Sequence, residues 1–123
     1  MNFLTDRKRA QGMGSGRDGT KHHWQMMASS VALVVMVPLF IFTFGLGMGG
    51  TQEEVISYFS RPFPAIVTGL GLIVGIRHFM FEVQEAVEDY IHGLAGKLVL
   101  MAVTAIAYTL IAIGLFALAR IAL

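Results

Sequence analysis

Residues 98–119 read LVLMAVTAIAYTLIAIGLFALA and contain no charged side chain. A helix needs about 20 apolar residues to cross the hydrocarbon core of a bilayer, so this stretch is long enough to span a membrane. Residues 26–46 are equally free of charge, and residues 63–81 form another apolar stretch in which Arg77 and His78 appear near the end. The sequence therefore predicts three membrane-spanning helices, at about residues 24–46, 64–87 and 97–120.

The composition also indicates a chain that lies in a bilayer. Hydrophobic residues make up 55% of the sequence, charged residues only 14%, and the mean hydropathy is +0.68. The absence of cysteine excludes a disulfide framework, thiolate-held iron–sulfur clusters and thiol catalysis in this chain. We expect an all-α, multi-pass membrane protein with no nucleic-acid partner, in which any redox centre depends on histidine.

The first 23 residues are basic, rich in glycine and without an apolar run, so they do not resemble a secretory signal. We predict an irregular arm over residues 1–23 and a membrane anchor over residues 24–123. Lys and Arg favour the cytoplasmic side of a membrane, and five of them lie in the arm, whereas the segment after the first span has only Arg61. This distribution predicts a cytoplasmic N-terminus and a C-terminus on the outer, periplasmic side.

Proline and glycine divide the rest of the chain. Pro38 lies inside the first span and should bend that helix or break it locally. The segment 51–64 has the composition of a short surface helix, and the second span should continue as one helix from Pro64 to Tyr90. Gly93 then allows the turn into the third span.

His78 is the most informative residue, because an ionisable side chain inside hydrocarbon is a functional-site hypothesis by default. Successive helical residues rotate by about 100°, so Gly71, Gly75 and His78 fall within about 60° of one another. A strip without side chains that ends in an imidazole is a surface on which a haem could lie against its own helix. Two other interpretations stay open: the glycines form a helix-packing groove, and the histidine forms a hydrogen bond to another helix.

Arg77 points about 100° away from His78 and should meet a propionate, a carboxylate or the headgroup layer. The other histidines, at positions 22, 23 and 92, lie at the ends of the predicted spans. None of them is placed to be a second axial ligand at the depth of His78. A six-coordinate haem on His78 would therefore require a partner subunit.

Asp89 and Tyr90 form a second candidate site. Asp89 follows His78 by 11 residues, which places it within about 20° of the same helix face and about 16 Å along the helix. A tyrosine at this depth is commonly only part of the aromatic belt of the membrane interface. A phenol beside a carboxylate can also hold a quinone carbonyl and supply a proton when the quinone is reduced.

The combination of these residues resembles the hydrophobic membrane-anchor subunits of succinate dehydrogenase, complex II. The specific part is the spacing of His78, ten intervening residues and then Asp89-Tyr90 in the second of three spans. The basic arm also fits, with GRDG at 16–19 leading into WQMMAS at 24–29. The resemblance extends from about residue 16 to the third span.

The resemblance implies that His78 is one axial ligand of a haem b whose other ligand comes from the cytochrome b556 subunit, with Gly71 and Gly75 facing the haem. It also implies that Tyr90 binds the ubiquinone carbonyl and that Asp89 helps to tune or protonate it. The remaining partners would be an iron–sulfur subunit and a flavoprotein subunit that oxidises succinate. The resemblance places the chain in the bacterial cytoplasmic (inner) membrane and leaves the higher-order assembly of the heterotetramer open.

One position departs from the family pattern. Members commonly have an arginine at the start of the first span, linked with the haem propionates or the quinone pocket, where this chain has Met26 and Met27. Four other basic side chains could take the place of this arginine, and the sequence does not choose among them: Lys21, His22, His23 and Arg77. The chain has no flavin or nucleotide motif, so by itself it should be catalytically inert.

Two alternative functions remain open at this stage. The first is the anchor of a fumarate reductase or of another quinone-linked cytochrome b complex. The second is a non-redox structural membrane subunit in which Arg77 and His78 only bond neighbouring helices. An ion or proton channel would need several aligned intramembrane acids or histidines, and this sequence has too few of them.

Overall fold

The computed structural model describes residues 3–14 and 19–123, which form helices joined by short turns. The helices are α1 (Asp6–Gln11), α2 (Gly19–Leu46), α3 (Gln52–Phe59), α4 (Pro62–Tyr90) and α5 (Gly93–Ala122). Three of them, α2, α4 and α5, are long and apolar enough to cross a membrane. The prediction of an all-α chain with three spans is therefore confirmed.

The N-terminal arm is more ordered than predicted. Helix α1 begins after Thr5, whose hydroxyl accepts a hydrogen bond from the Lys8 N–H at 3.3 Å, and it ends at Gly12, whose φ is +55°. The Thr5 side chain and the Gly12 backbone thus form hydrogen bonds with backbone groups at the two ends of the helix. A hydropathy profile does not detect such caps. The prediction of an arm that is irregular throughout is wrong here, and α2 begins at Gly19 rather than near residue 23. Residues 15–18, which include most of the GRDG motif, lie outside the described part of the chain.

Helix α2 continues through Pro38 without interruption, so the local break that the sequence allowed is not present. Proline removes one backbone donor and its ring crowds the preceding turn. The Pro38 side chain is exposed on the surface of α2. In a membrane, neighbouring helices and small local adjustments can satisfy the carbonyl that loses its partner.

Helix α3 connects α2 to α4 and confirms the short helix predicted in the segment 51–64. It begins with a capping box: the Thr51 hydroxyl accepts from the Glu54 N–H, and the Thr51 N–H donates to Glu54 Oε2 at 2.8 Å. The Tyr58 hydroxyl donates to the Thr43 carbonyl at 2.6 Å, which fixes α3 to the end of α2. Phe59 is buried, and the centre of its ring lies 5.6 Å from that of Phe44 in α2.

Helix α4 lies at the centre of the bundle, since it packs along both α2 and α5, whereas no Cα atoms of α2 and α5 come within 8 Å of each other in the described residues. A small core of Met80, Phe81 and Ala107 joins the helices. Most other large apolar side chains are exposed. A bundle with such a small buried core presents most of its apolar surface to its surroundings. This is expected for helices that are surrounded by lipid or by other subunits.

Candidate functional site

The His78 imidazole lies between α4 and α2, and its side chain is only 16% exposed. Its Nδ1 atom is 2.9 Å from the Ser29 hydroxyl oxygen on α2. Its Nε2 atom is 3.4 Å from Oε1 of Glu82, one turn further along α4. The two ring nitrogens therefore have different neighbours: Nδ1 faces a residue of α2, and Nε2 faces a residue of its own helix, α4.

Sequence reasoning did not identify Ser29 as part of the site. The Ser29 hydroxyl donates to the Met26 carbonyl at 2.9 Å and is half-buried where it meets His78. Serine within an apolar helix commonly bonds to the backbone of the preceding turn, which gave no reason to single it out. The missing information was which face of α2 meets α4, and this depends on tertiary packing.

An apolar pocket of about 310 Å³ adjoins His78, between α2 and α4. It is lined by Leu33, Met36, Val37, Phe40, Gly71, Gly75, His78 and Phe79. The pocket opens towards the surroundings, because Phe79 is 71% exposed and Val37 is 46% exposed. The structure thus brings the two glycines and the histidine of the sequence prediction to one apolar pocket.

The two glycines have different surroundings within this pocket. Apart from its chain neighbours and the nearby backbone of α4, nothing would lie within 4 Å of a Cβ atom at Gly75, so this glycine leaves open space in the wall. A Cβ atom at Gly71 would lie 2.5 Å from the Phe40 ring. Gly71 therefore provides the close approach of α2 to α4, while Gly75 widens the pocket next to the imidazole.

Arg77 and His22 both contact Phe81, outside the lining of this pocket. The Arg77 guanidinium carbon lies 5.6 Å from the centre of the Phe81 ring, and the His22 ring packs edge-on against it at 5.1 Å. His22 Nε2 is also 3.5 Å from Glu85 Oε1. Within residues 3–14 and 19–123, Arg77 has no carboxylate partner, and His23 is exposed.

Asp89 and Tyr90 are the last two residues of α4. Both are exposed, and 84% of Tyr90 is accessible. In the described part of the chain neither side chain has a hydrogen-bond or ion-pair partner. Because α4 is continuous from His78 to Asp89, their separation along the helix is about 16 Å. A phenol donor and a carboxylate are therefore available to a molecule from outside this chain.

Comparisons with known proteins agree with this architecture. The family model described as "Succinate dehydrogenase/Fumarate reductase transmembrane subunit" matches residues 1–119. The succinate dehydrogenase hydrophobic membrane anchor subunit of Paracoccus denitrificans is 41% identical over 123 residues, which cover 100% of this chain and 95% of the relative. The anchor subunit of the same name from Rickettsia bellii (strain RML369-C) is 27% identical over 90 residues, 72% of this chain and 71% of the relative. No solved structure gives a significant match. The chain therefore belongs to the family of transmembrane subunits of succinate dehydrogenase and fumarate reductase.

Proposed function

We propose that this chain is the hydrophobic membrane anchor of a succinate:ubiquinone oxidoreductase, that it provides His78 as one axial ligand of haem b, and that it forms part of the ubiquinone site with Tyr90 and Asp89. The anchor role is supported by the full-length similarity to the Paracoccus subunit and by the three apolar helices. The haem assignment is carried by one observation: His78 adjoins an apolar pocket in which Gly75 leaves open space.

The residues of the pocket fit a haem edge. Bound haem supplies reversible one-electron chemistry at its iron, and an apolar surrounding with a histidine ligand is a common way to hold it. Gly75 leaves room beside the imidazole, and the other lining side chains near it are apolar. The second ligand must come from a partner, since the remaining histidines lie at the helix ends, at positions 22, 23 and 92.

Ligation through Nε2 of His78 requires Glu82 to move away from its present position 3.4 Å from that atom. The Glu82 side chain is 55% exposed, so a rotation about its own bonds releases Nε2 without any change in the helices. Arg77 and His23 are available to pair with the haem propionates. His22 could do so only after leaving Glu85.

Gly75→Leu is expected to lower the haem content of the purified complex severalfold. Leucine is a good helix former, and a Cβ atom at this position has no side chain within 4 Å, so α4 itself should stay intact. The added side chain would fill the space next to His78. The measurement is haem per complex from the pyridine haemochrome spectrum, with subunit amounts from a stained gel.

Gly45→Leu is the matched control, because a Cβ atom there also meets nothing within 4 Å, but Gly45 lies near the end of α2, outside the pocket. Equal haem content in the Gly75→Leu and Gly45→Leu complexes would remove Gly75 from the haem surface. Loss of the complex itself in Gly75→Leu alone would show instead that Gly75 is a packing surface for a partner helix.

The quinone assignment depends on what Tyr90 and Asp89 offer to an outside molecule. The phenol can donate a hydrogen bond to a quinone carbonyl, and the neighbouring carboxylate can accept and return protons. Because Tyr90 is 84% exposed in this chain, the rest of a quinone pocket must be supplied by partner subunits. We assign this role to the cytochrome b and iron–sulfur subunits.

We propose that the N-terminus is cytoplasmic and the C-terminus periplasmic, on the basis of the five Lys and Arg residues in the arm. Single-cysteine labelling can test this cleanly, since the chain has no cysteine of its own. A membrane-impermeant maleimide should label Ser57→Cys in α3 on intact spheroplasts and should label Ala10→Cys in α1 only after lysis. The reverse pattern would invert the topology and place Tyr90 on the periplasmic side.

The experiment that tests the function is purification of the tagged chain in mild detergent from its own membranes. Mass spectrometry should identify a flavoprotein, an iron–sulfur protein and a second small hydrophobic subunit, and the purified complex should reduce ubiquinone with succinate. A complex that shows only quinol-dependent fumarate reduction would assign the chain to the fumarate reductase branch of the family. A chain that purifies without these subunits would overturn the proposal.

A further inference from the structure

We infer that Ser29 is a positioning residue for the haem ligand: its hydroxyl keeps the proton of the His78 ring on Nδ1 and so directs Nε2 to the iron. This inference rests on the proposed function, because it assumes that His78 binds haem. It assigns a defined role to a residue of α2 that lies across the helix interface from the ligand.

The single hydroxyl proton of Ser29 decides which ring nitrogen of His78 carries a proton. A serine hydroxyl has one proton to donate and can accept through its lone pairs. The Ser29 oxygen is 2.9 Å from the Met26 carbonyl oxygen, which can only accept, and 2.9 Å from His78 Nδ1. When the hydroxyl proton points to the carbonyl, the contact with Nδ1 is a hydrogen bond only if Nδ1 carries a proton and donates it to Ser29.

A hydrogen bond in the opposite direction, from the Ser29 hydroxyl to Nδ1, is less favourable. If the hydroxyl donated to Nδ1 instead, two oxygen atoms, those of Ser29 and of the Met26 carbonyl, would face each other at 2.9 Å with no proton between them. Electrostatic repulsion between acceptors is costly where little water is present to screen it. The two short contacts of Ser29 are therefore best satisfied with the proton on Nδ1. Nε2 is then free for the iron once Glu82 has turned away from it, as ligation requires.

The proton on Nδ1 leaves Nε2 as the nitrogen that can bind a metal. Histidine ligands usually donate their other ring N–H to an oxygen acceptor, which fixes the tautomer and ring orientation and raises the basicity of the ligand. Ser29 provides such an acceptor, and it belongs to α2, so the packing of α2 against α4 also sets the plane of the imidazole. A more basic ligand favours the oxidised iron and lowers the reduction potential.

Ser30 is a matched control on the same turn of α2. Its hydroxyl also donates to the Met26 carbonyl, again at 2.9 Å, but Ser30 is exposed and forms no hydrogen bond with His78. Ser29→Ala and Ser30→Ala therefore remove the same group from the same helix turn and the same backbone acceptor. They differ in whether the histidine loses its partner.

The test is a redox titration and a low-temperature EPR spectrum of the haem in the purified complex carrying each variant. Ser29→Ala should shift the haem potential upward and change the EPR g values, whereas Ser30→Ala should leave both as in the unmodified complex. Ser29→Thr should keep the original potential and g values, because threonine retains the hydroxyl. Valine has nearly the same shape as threonine but no hydroxyl, so Ser29→Val should behave like Ser29→Ala.

The outcomes separate this inference from the proposed function. Identical potentials and g values in Ser29→Ala and Ser30→Ala, or in the Thr and Val variants, would overturn the role of Ser29 and leave haem ligation standing. If Ser29→Ala prevents assembly, the comparison of Thr with Val decides the question, since the two side chains fill the same volume. An unmodified complex that contains no haem would overturn both the inference and the haem part of the proposed function.

Discussion

Replacing His78 with alanine is expected to remove the normal haem b signal from the purified complex. The substitution deletes the axial ligand that we propose for this chain, and the other described histidines, at positions 22, 23 and 92, lie at helix ends and cannot replace it. The reduced-minus-oxidised optical spectrum should lose most of its b-type band, or the iron should become five-coordinate. Haem content and the EPR spectrum of the oxidised complex measure the two possibilities separately.

His92→Ala is the control for this prediction, because His92 is exposed at the start of α5 and makes no side-chain cap contact. Its complex should keep the unmodified spectrum. Succinate oxidation with an artificial acceptor should continue in both variants, since we assign the flavin chemistry to another subunit. An unchanged six-coordinate spectrum in His78→Ala would show that both ligands come from elsewhere.

Replacing Tyr90 with phenylalanine is expected to lower succinate-dependent ubiquinone reduction by about tenfold or more, while the complex still assembles. The phenol is exposed at the end of α4 and has no hydrogen-bond partner in the described chain, so its loss should not disturb the fold. A hydrogen bond to a bound substrate contributes on the order of 1 kcal/mol, and proton donation in the transition state adds to this. The rate with short-chain ubiquinone measures the effect.

Two further variants make the quinone prediction specific. Tyr108→Phe removes the same hydroxyl from an exposed position on α5 and should leave the rate unchanged. Asp89→Asn removes the charge next to Tyr90 and should reduce the maximal rate more than it changes the Michaelis constant, because protonation is needed in the reaction rather than in binding. Normal quinone kinetics in Tyr90→Phe would exclude Tyr90 from the site.

The three spans could be predicted from sequence because their cause is simple. A helix that crosses hydrocarbon needs a minimum length of apolar residues, and the sequence has three such stretches. The ends of the helices were harder to predict from sequence. Helix α1 and the first residues of α2, which begins at Gly19, lie in the polar arm, where hydropathy does not indicate a helix. There the outcome depends on caps such as Thr5, which contribute only about 1 kcal/mol each.

The candidate site was predictable along one helix and not between helices. The rotation of about 100° per residue places Gly71, Gly75 and His78 on one face of α4, and the structure brings all three to one pocket. Which face of α2 meets α4 depends on how side chains interlock, so the contacts of Ser29 and Phe40 could not be read from sequence. At Tyr90 the limit is different, because no described residue of this chain covers the side chain, which is 84% exposed.

The most direct test of the central claim is a cryo-EM map of the complex purified through this chain. We predict a haem in contact with the pocket of α2 and α4, with continuous density from Nε2 of His78 to the iron and Glu82 turned away. We also predict that the second ligand belongs to another small hydrophobic subunit. A map in which Nε2 of His78 remains beside Glu82, with no haem against Gly75, would contradict the claim and assign His78 to helix packing.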